Sequence, residues 1–153
     1  MKNSKKLFLI FLSVLIVAFV SCKKDSGGSI TTPTPTPTFK PSSLLGNWTY
    51  DGDTSAAANN TLVLEEDSSG NKLTIKVKAG GASGDITIDT WSDEKDKEVA
   101  VYEKTGTETD SGQAVGKTTP SVKFTSATTC SASISVVKDG STTPYNANFK
   151  KQQ

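Results

Sequence analysis

Between Lys72 and Lys78 the chain alternates without interruption: Leu73, Ile75 and Val77 take every second position, and three of the four positions around them are lysine. A period of two sends neighbouring side chains to opposite faces of an extended strand, so this segment reads as a strand with one buried and one wet face. Helical winding would scatter the three aliphatics around the axis. The same alternation recurs at residues 85–91 (Ile86, Ile88), 98–103 (Val99, Val101) and 131–138 (Ala132, Ile134, Val136). Residues 45–50, 61–66, 121–125 and 145–150 bring the predicted strands to eight.

The stretches between these strands are turn-rich and, apart from 105–119, shorter than the crossovers parallel neighbours need, which predicts antiparallel hairpins. Asp67-Ser68-Ser69-Gly70-Asn71, residues 79–84 around Gly80-Gly81, residues 93–97 and Asp139-Gly140-Ser141 supply residues that tolerate positive φ or bond their own backbone. The longest connection, 105–119, is rich in glycine and threonine and reads as a mobile loop over one end. Residues 54–58 suit one short helical turn. The span 42–153 is long enough for one domain and too short for two.

Ahead of it lie two segments of different composition. Lysines 2, 5 and 6 precede a largely apolar run of fourteen residues, 7–20, followed by Ser21 and Cys22. That run is too short to span a bilayer comfortably, and its flanks are those of a signal peptide. Ala18-Phe19-Val20-Ser21-Cys22 resembles the lipobox of bacterial lipoproteins, and Ser-Cys-Lys-Lys-Asp across the junction resembles those of some Gram-negative lineages. The resemblance implies cleavage after residue 21, acylation of Cys22 (palmitate among the chains) and attachment to the outer membrane, on either its periplasmic or its outer face. Each buried methylene contributes about 0.8 kcal/mol, so several acyl chains make the anchor effectively permanent. Residues 22–41 then form a disordered, semi-rigid linker, with Thr32-Pro33-Thr34-Pro35-Thr36-Pro37-Thr38 at its centre. Polyproline II geometry, at roughly 3.1 Å per residue, sets the following domain about 30 Å from the bilayer.

At the start of that domain Gly46-Asn47-Trp48 is similar to the Gly-x-Trp signature of lipocalins and related small barrels. What this implies is a short lipocalin-like antiparallel up-and-down barrel of about eight strands, plugged at one end by the tryptophan. Trp48, Tyr50, Leu64, Ile75, Val101 and Phe124 are then the candidate residues that plug the barrel or line an apolar ligand, with Val99 and Tyr145 among the further inward positions. An eight-stranded barrel holds either packed side chains or one small ligand, and the number of apolar residues leaves both open.

Composition removes much of chemistry. The chain has no histidine, and all seventeen of its cations are lysine. Histidine-based triads and histidine-zinc sites are excluded, and no guanidinium fork is present for phosphate. Loss of residues 1–21 takes three lysines and no acid, moving the formal charge from +1 to −2. No basic stripe remains for nucleic acid. Cys130 is the one thiol left once Cys22 is acylated, and it reads as a small buried hydrophobe. Most of the acids fall in predicted turns and read as solvated charge; Asp51-Gly52-Asp53 and Asp67-Ser68-Ser69 only faintly resemble calcium loops. Trp91, out of phase with Ile86 and Ile88, reads as an end cap or as an exposed contact residue. The expectation is a non-catalytic, lipid-anchored envelope protein with no cofactor and no metal, whose barrel binds a small apolar ligand or plays a structural role. The alternative is a surface-displayed module for protein or carbohydrate contacts.

Overall fold

The computed structural model describes residues 35–152; the predicted signal peptide, Cys22 and the linker through residue 34 lie outside the described residues. The strands are β1 (Gly46–Tyr50), β2 (Thr61–Glu66), β3 (Leu73–Ala79), β4 (Ala82–Ile88), β5 (Tyr102–Thr105), β6 (Thr109–Asp110), β7 (Lys117–Phe124), β8 (Thr129–Lys138) and β9 (Ser141–Lys151). They form one antiparallel sheet in the order β4-β3-β2-β1-β9-β8-β7-β5, with the two-residue β6 beside β7. Pairing of β1 with β9 (Tyr50 opposite Phe149) joins the two ends of the domain and curls the sheet into a nearly closed eight-stranded barrel.

Each strand follows its alternation. Leu62 and Leu64 of β2, Leu73, Ile75 and Val77 of β3, Ile86 and Ile88 of β4, Val122 and Phe124 of β7 and Ala132, Ile134 and Val136 of β8 are all buried. Hairpin turns set their registers. Gly80 (φ +57°) with Gly81 (φ +89°), and Asp139 (φ +50°) with Gly140 (φ +77°), are two-residue loops with both centres left-handed, whose twist matches that of the strands. These two turns lie at one end of the barrel with the loop 112–116. The β2–β3 turn, the 3-10 turn Pro41–Leu44 and a one-turn helix, Trp91–Glu94, lie at the other.

Closure between β4 and β5 comes from packing, since no ladder joins these two strands among the described residues. At mid-seam a Cβ on Gly84 would come within 3.0 Å of the Pro120 ring, and one on Gly106 within 2.8 Å of it and 3.0 Å of Asp85 O. Proline fits inside β7 because Pro120 lies opposite the break between β5 and β6, where its carbonyl still accepts from Gly106 N (2.8 Å). Nearer the helical end, Glu94 clasps the seam. Its carboxylate accepts from Thr90 Oγ1 (2.7 Å) and Tyr102 OH (3.0 Å) and pairs with Lys104 Nζ (2.7 Å).

Four expectations are corrected. The fifth strand begins at Tyr102, not residue 98, and Tyr102 takes the inward position, which turns Val101 outward to 45 % exposure. Val99 is half-buried in an isolated bridge to Phe39. Trp91 starts a helix instead of ending a strand. The predicted loop 105–119 contains β6 and the first residues of β7.

Candidate functional site

The helical end of the barrel is filled by aromatic rings. Trp48 donates its Nε1 hydrogen to Leu44 O (2.9 Å), which fixes the indole across the barrel end. Its ring meets Phe124 edge-on at 5.2 Å; Phe124 lies 6.3 Å from Tyr102, and Tyr102 meets Trp91 at 6.5 Å. Such edge-to-face pairs add about 0.5–1.5 kcal/mol each beyond the area they bury. Leu64, Ile75 and Phe124 are at most 2 % exposed. Four of the six residues expected to plug or line the barrel, Trp48, Leu64, Ile75 and Phe124, are thus brought together as packed core. Tyr50 is half-buried at the edge, 6.1 Å from Phe149. Val101 is outside.

Trp91 caps this end fully buried, its Nε1 without a hydrogen-bond partner among the described residues. Beside it Lys95 and Glu66 pair at 2.8 Å, and the ammonium holds the Glu66 carboxyl below the usual carboxylate range. Burial alone would raise the Glu94 pKa; the bonds from Lys104, Thr90 and Tyr102 outweigh it and leave the carboxyl below its ordinary value. Burial, with the nearby Glu94 charge, pushes the Tyr102 hydroxyl far up, so it stays a donor. Glu94, Tyr102 and Lys104 are thus satisfied by one another within the clasp that holds the seam.

The opposite end is a cup. Gly80, Gly81, Ala82, Val115, Val136 and Tyr145, with Lys138, Ser141 and Thr143, line a depression of about 400 Å³. Two observations give it shape. Tyr145 shares the inward phase of Ala147 and Phe149 along β9 but lies beyond the packed layers, and it remains 36 % exposed instead of buried as expected. Its ring rests on the Gly80 backbone, where a Cβ would meet Tyr145 Cδ1 at 2.3 Å. Across the cup, Lys138 Nζ donates to Ala114 O (2.9 Å) and holds the loop 112–116 so that Val115 is presented at 40 % exposure.

The cup offers one aromatic ring, two valines, hydroxyls and one ammonium. No carboxylate lines it, and Cys130 lies near the other end, buried, with its thiol pushed up to about 12 by burial. No group of three or more Asp, Glu or Cys side chains among the described residues is placed to hold a metal ion. The sequence carried one signal for the cup: an aromatic residue in inward phase (Tyr145) that meets a Gly-Gly turn, which has no side chain to cover it. Comparison with protein-family models, curated proteins and solved structures returns no match for this chain.

Proposed function

We propose that this chain is a non-catalytic bacterial lipoprotein, anchored through acylated Cys22 to the outer membrane, with a lipocalin-like barrel that binds a small, largely apolar molecule at its open cup and not in its interior. One contrast carries the reading: the Trp48 end is packed with aromatic side chains, while Tyr145 and Val115 leave apolar surface exposed in a concave site. Apolar patches enclosed on several sides are where binding is favourable, and small domains keep their interiors filled for stability. The signal-like segment and the Thr-Pro linker are the support for the anchor.

Two measurements test the two halves. Cells fed an alkyne fatty acid should label the wild-type chain and not Cys22→Ser, which should leave the membrane fraction; equal labelling of both would remove the anchor from the proposal. For the cup, titration of the ¹⁵N-labelled protein with a library of small apolar molecules should produce saturable amide shifts clustered at Gly80, Gly81, Val115 and Tyr145. Shifts centred on Trp48 Nε1 would move the site to the interior, and a library with no saturable shift would end the ligand reading.

A further inference from the structure

The end of the β8–β9 hairpin carries the chemistry of the cup. Even residues of β8 and odd residues of β9 share the core-facing phase, and the register sets Ile134 opposite Tyr145, Val136 opposite Thr143 and Lys138 opposite Ser141. Outward from the packed layers the lining therefore passes from apolar (Val136, Tyr145) to exposed hydroxyl (Thr143, Ser141) and ends at one ammonium. Val115 faces them from the loop 112–116.

Lys138 is the only charged residue in that lining. The ion pairs among the described residues are all made by other lysines, whereas Lys138 Nζ donates to a neutral group, Ala114 O (2.9 Å). An ammonium has three N–H groups, so this bond leaves two for a ligand. Two acids, Asp110 and Asp139, border a neighbouring depression that Lys138 also touches, and neither lines the cup. Asp110 Oδ1 accepts from Gly112 N (2.8 Å), and Asp139 heads the β8–β9 turn at φ +50°. A concave site with one cation and no carboxylate favours a negative ligand.

We propose that the cup takes a small aromatic carboxylate, its ring between Tyr145 and Val115 and its carboxylate on Lys138, with the Ser141 and Thr143 hydroxyls as further donors. This assignment rests on the cup being a binding site and adds the charge and shape of what it binds. An aromatic body suits the Tyr145 ring, which the Gly80 backbone props in place, because aromatic pairs gain from offset stacking beyond the area they bury. About 400 Å³ is room for a two-ring molecule. One ammonium without a guanidinium fork matches a singly charged carboxylate better than a phosphate.

The test titrates the ¹⁵N-labelled protein at neutral pH with three probes that share one two-ring body: 2-naphthoate, 2-naphthalenecarboxamide and 2-naphthylmethylammonium. Naphthoate should shift the Gly80, Gly81, Val115 and Tyr145 amides saturably, binding about 3- to 5-fold tighter than the carboxamide, the gap an exposed ion pair gives, with the ammonium weakest. Raising the salt from about 20 mM to about 500 mM should close that gap. Lys138→Gln, whose side chain can still donate to Ala114 O, should lower naphthoate to the affinity of the carboxamide and leave the carboxamide unchanged. Asp139→Asn, which keeps a residue at home in the left-handed turn, should tighten naphthoate alone. Equal affinities of naphthoate and carboxamide at these amides would overturn the anion assignment while leaving the cup a binding site, as would tightest binding by the ammonium or wild-type naphthoate affinity in Lys138→Gln. No saturable shift from any probe would overturn the aromatic-carboxylate assignment, and the wider library would then decide the cup by itself.

Discussion

Trp48 illustrates how one side chain serves two needs, since its indole fills the barrel end against Phe124 while its Nε1 satisfies the Leu44 carbonyl that begins the domain. Trp48→Ala should therefore cost about 3–5 kcal/mol of unfolding free energy, and Trp48→Phe about 1–2 kcal/mol, because phenylalanine keeps part of the packing but strands the carbonyl. Equilibrium denaturation in urea distinguishes the two. Cys130 makes a second prediction at this scale. A thiol pushed up to about 12 and almost fully shielded is neither ionised nor reachable, so iodoacetamide at about pH 8 should leave the folded protein unmodified. Adding denaturant should make it react at the rate of a free thiol, and rapid labelling of the native protein would contradict the burial of β8. The composition had pointed to the same bland role for this cysteine, from its setting at a strand entry.

Among the elements, the seam between β4 and β5 is where the barrel is held by side chains alone. Gly106→Val should force the Pro120 ring and the Asp85 carbonyl apart and cost about 1–3 kcal/mol, with faster hydrogen exchange along β4 before any other strand. The Glu94 clasp adds a dependence on pH. Its folded pKa lies below the ordinary value of 4.5, so its contribution is fully present above that value and is lost as the pH falls through the folded pKa. The wild-type denaturation midpoint should fall between about pH 5 and about pH 3, and Glu94→Gln should flatten that part of the profile. An unchanged slope would place the acid sensitivity in the Glu66–Lys95 pair or the Asp67 turn. None of this clasp was visible from alternation, because Thr90, Glu94, Tyr102 and Lys104 are brought together by a helical turn that the pattern of residues 85–91 read as strand.

For the whole molecule, joining β1 to β9 makes the barrel depend on its last residues. A chain ending at Gly140 loses β9, exposes the edges of β1 and β8 and removes Phe149 from the core, so it should fail to give a monomeric, cooperatively unfolding species by size-exclusion chromatography and thermal melting. Antiparallel alternation, the Gly-Gly and Asp-Gly turns and the buried aliphatics of β2, β3, β7 and β8 were all readable beforehand, since each rests on spacing within a few residues. Trp48 of the Gly46-x-Trp48 motif packs against Phe124 at the helical end. What spacing could not supply was the inward phase of β5, where Val101 and Tyr102 compete and the larger ring takes the core, or the position of Tyr145 beyond the packed layers. The sequence by itself determined an all-β antiparallel chain without histidine or arginine, because period, turn chemistry and missing residue types are local facts. Only the tertiary structure decided that Trp48, Phe124, Tyr102 and Trp91 fill one end and that the cup lies at the other, because each depends on which distant strands meet and in what register.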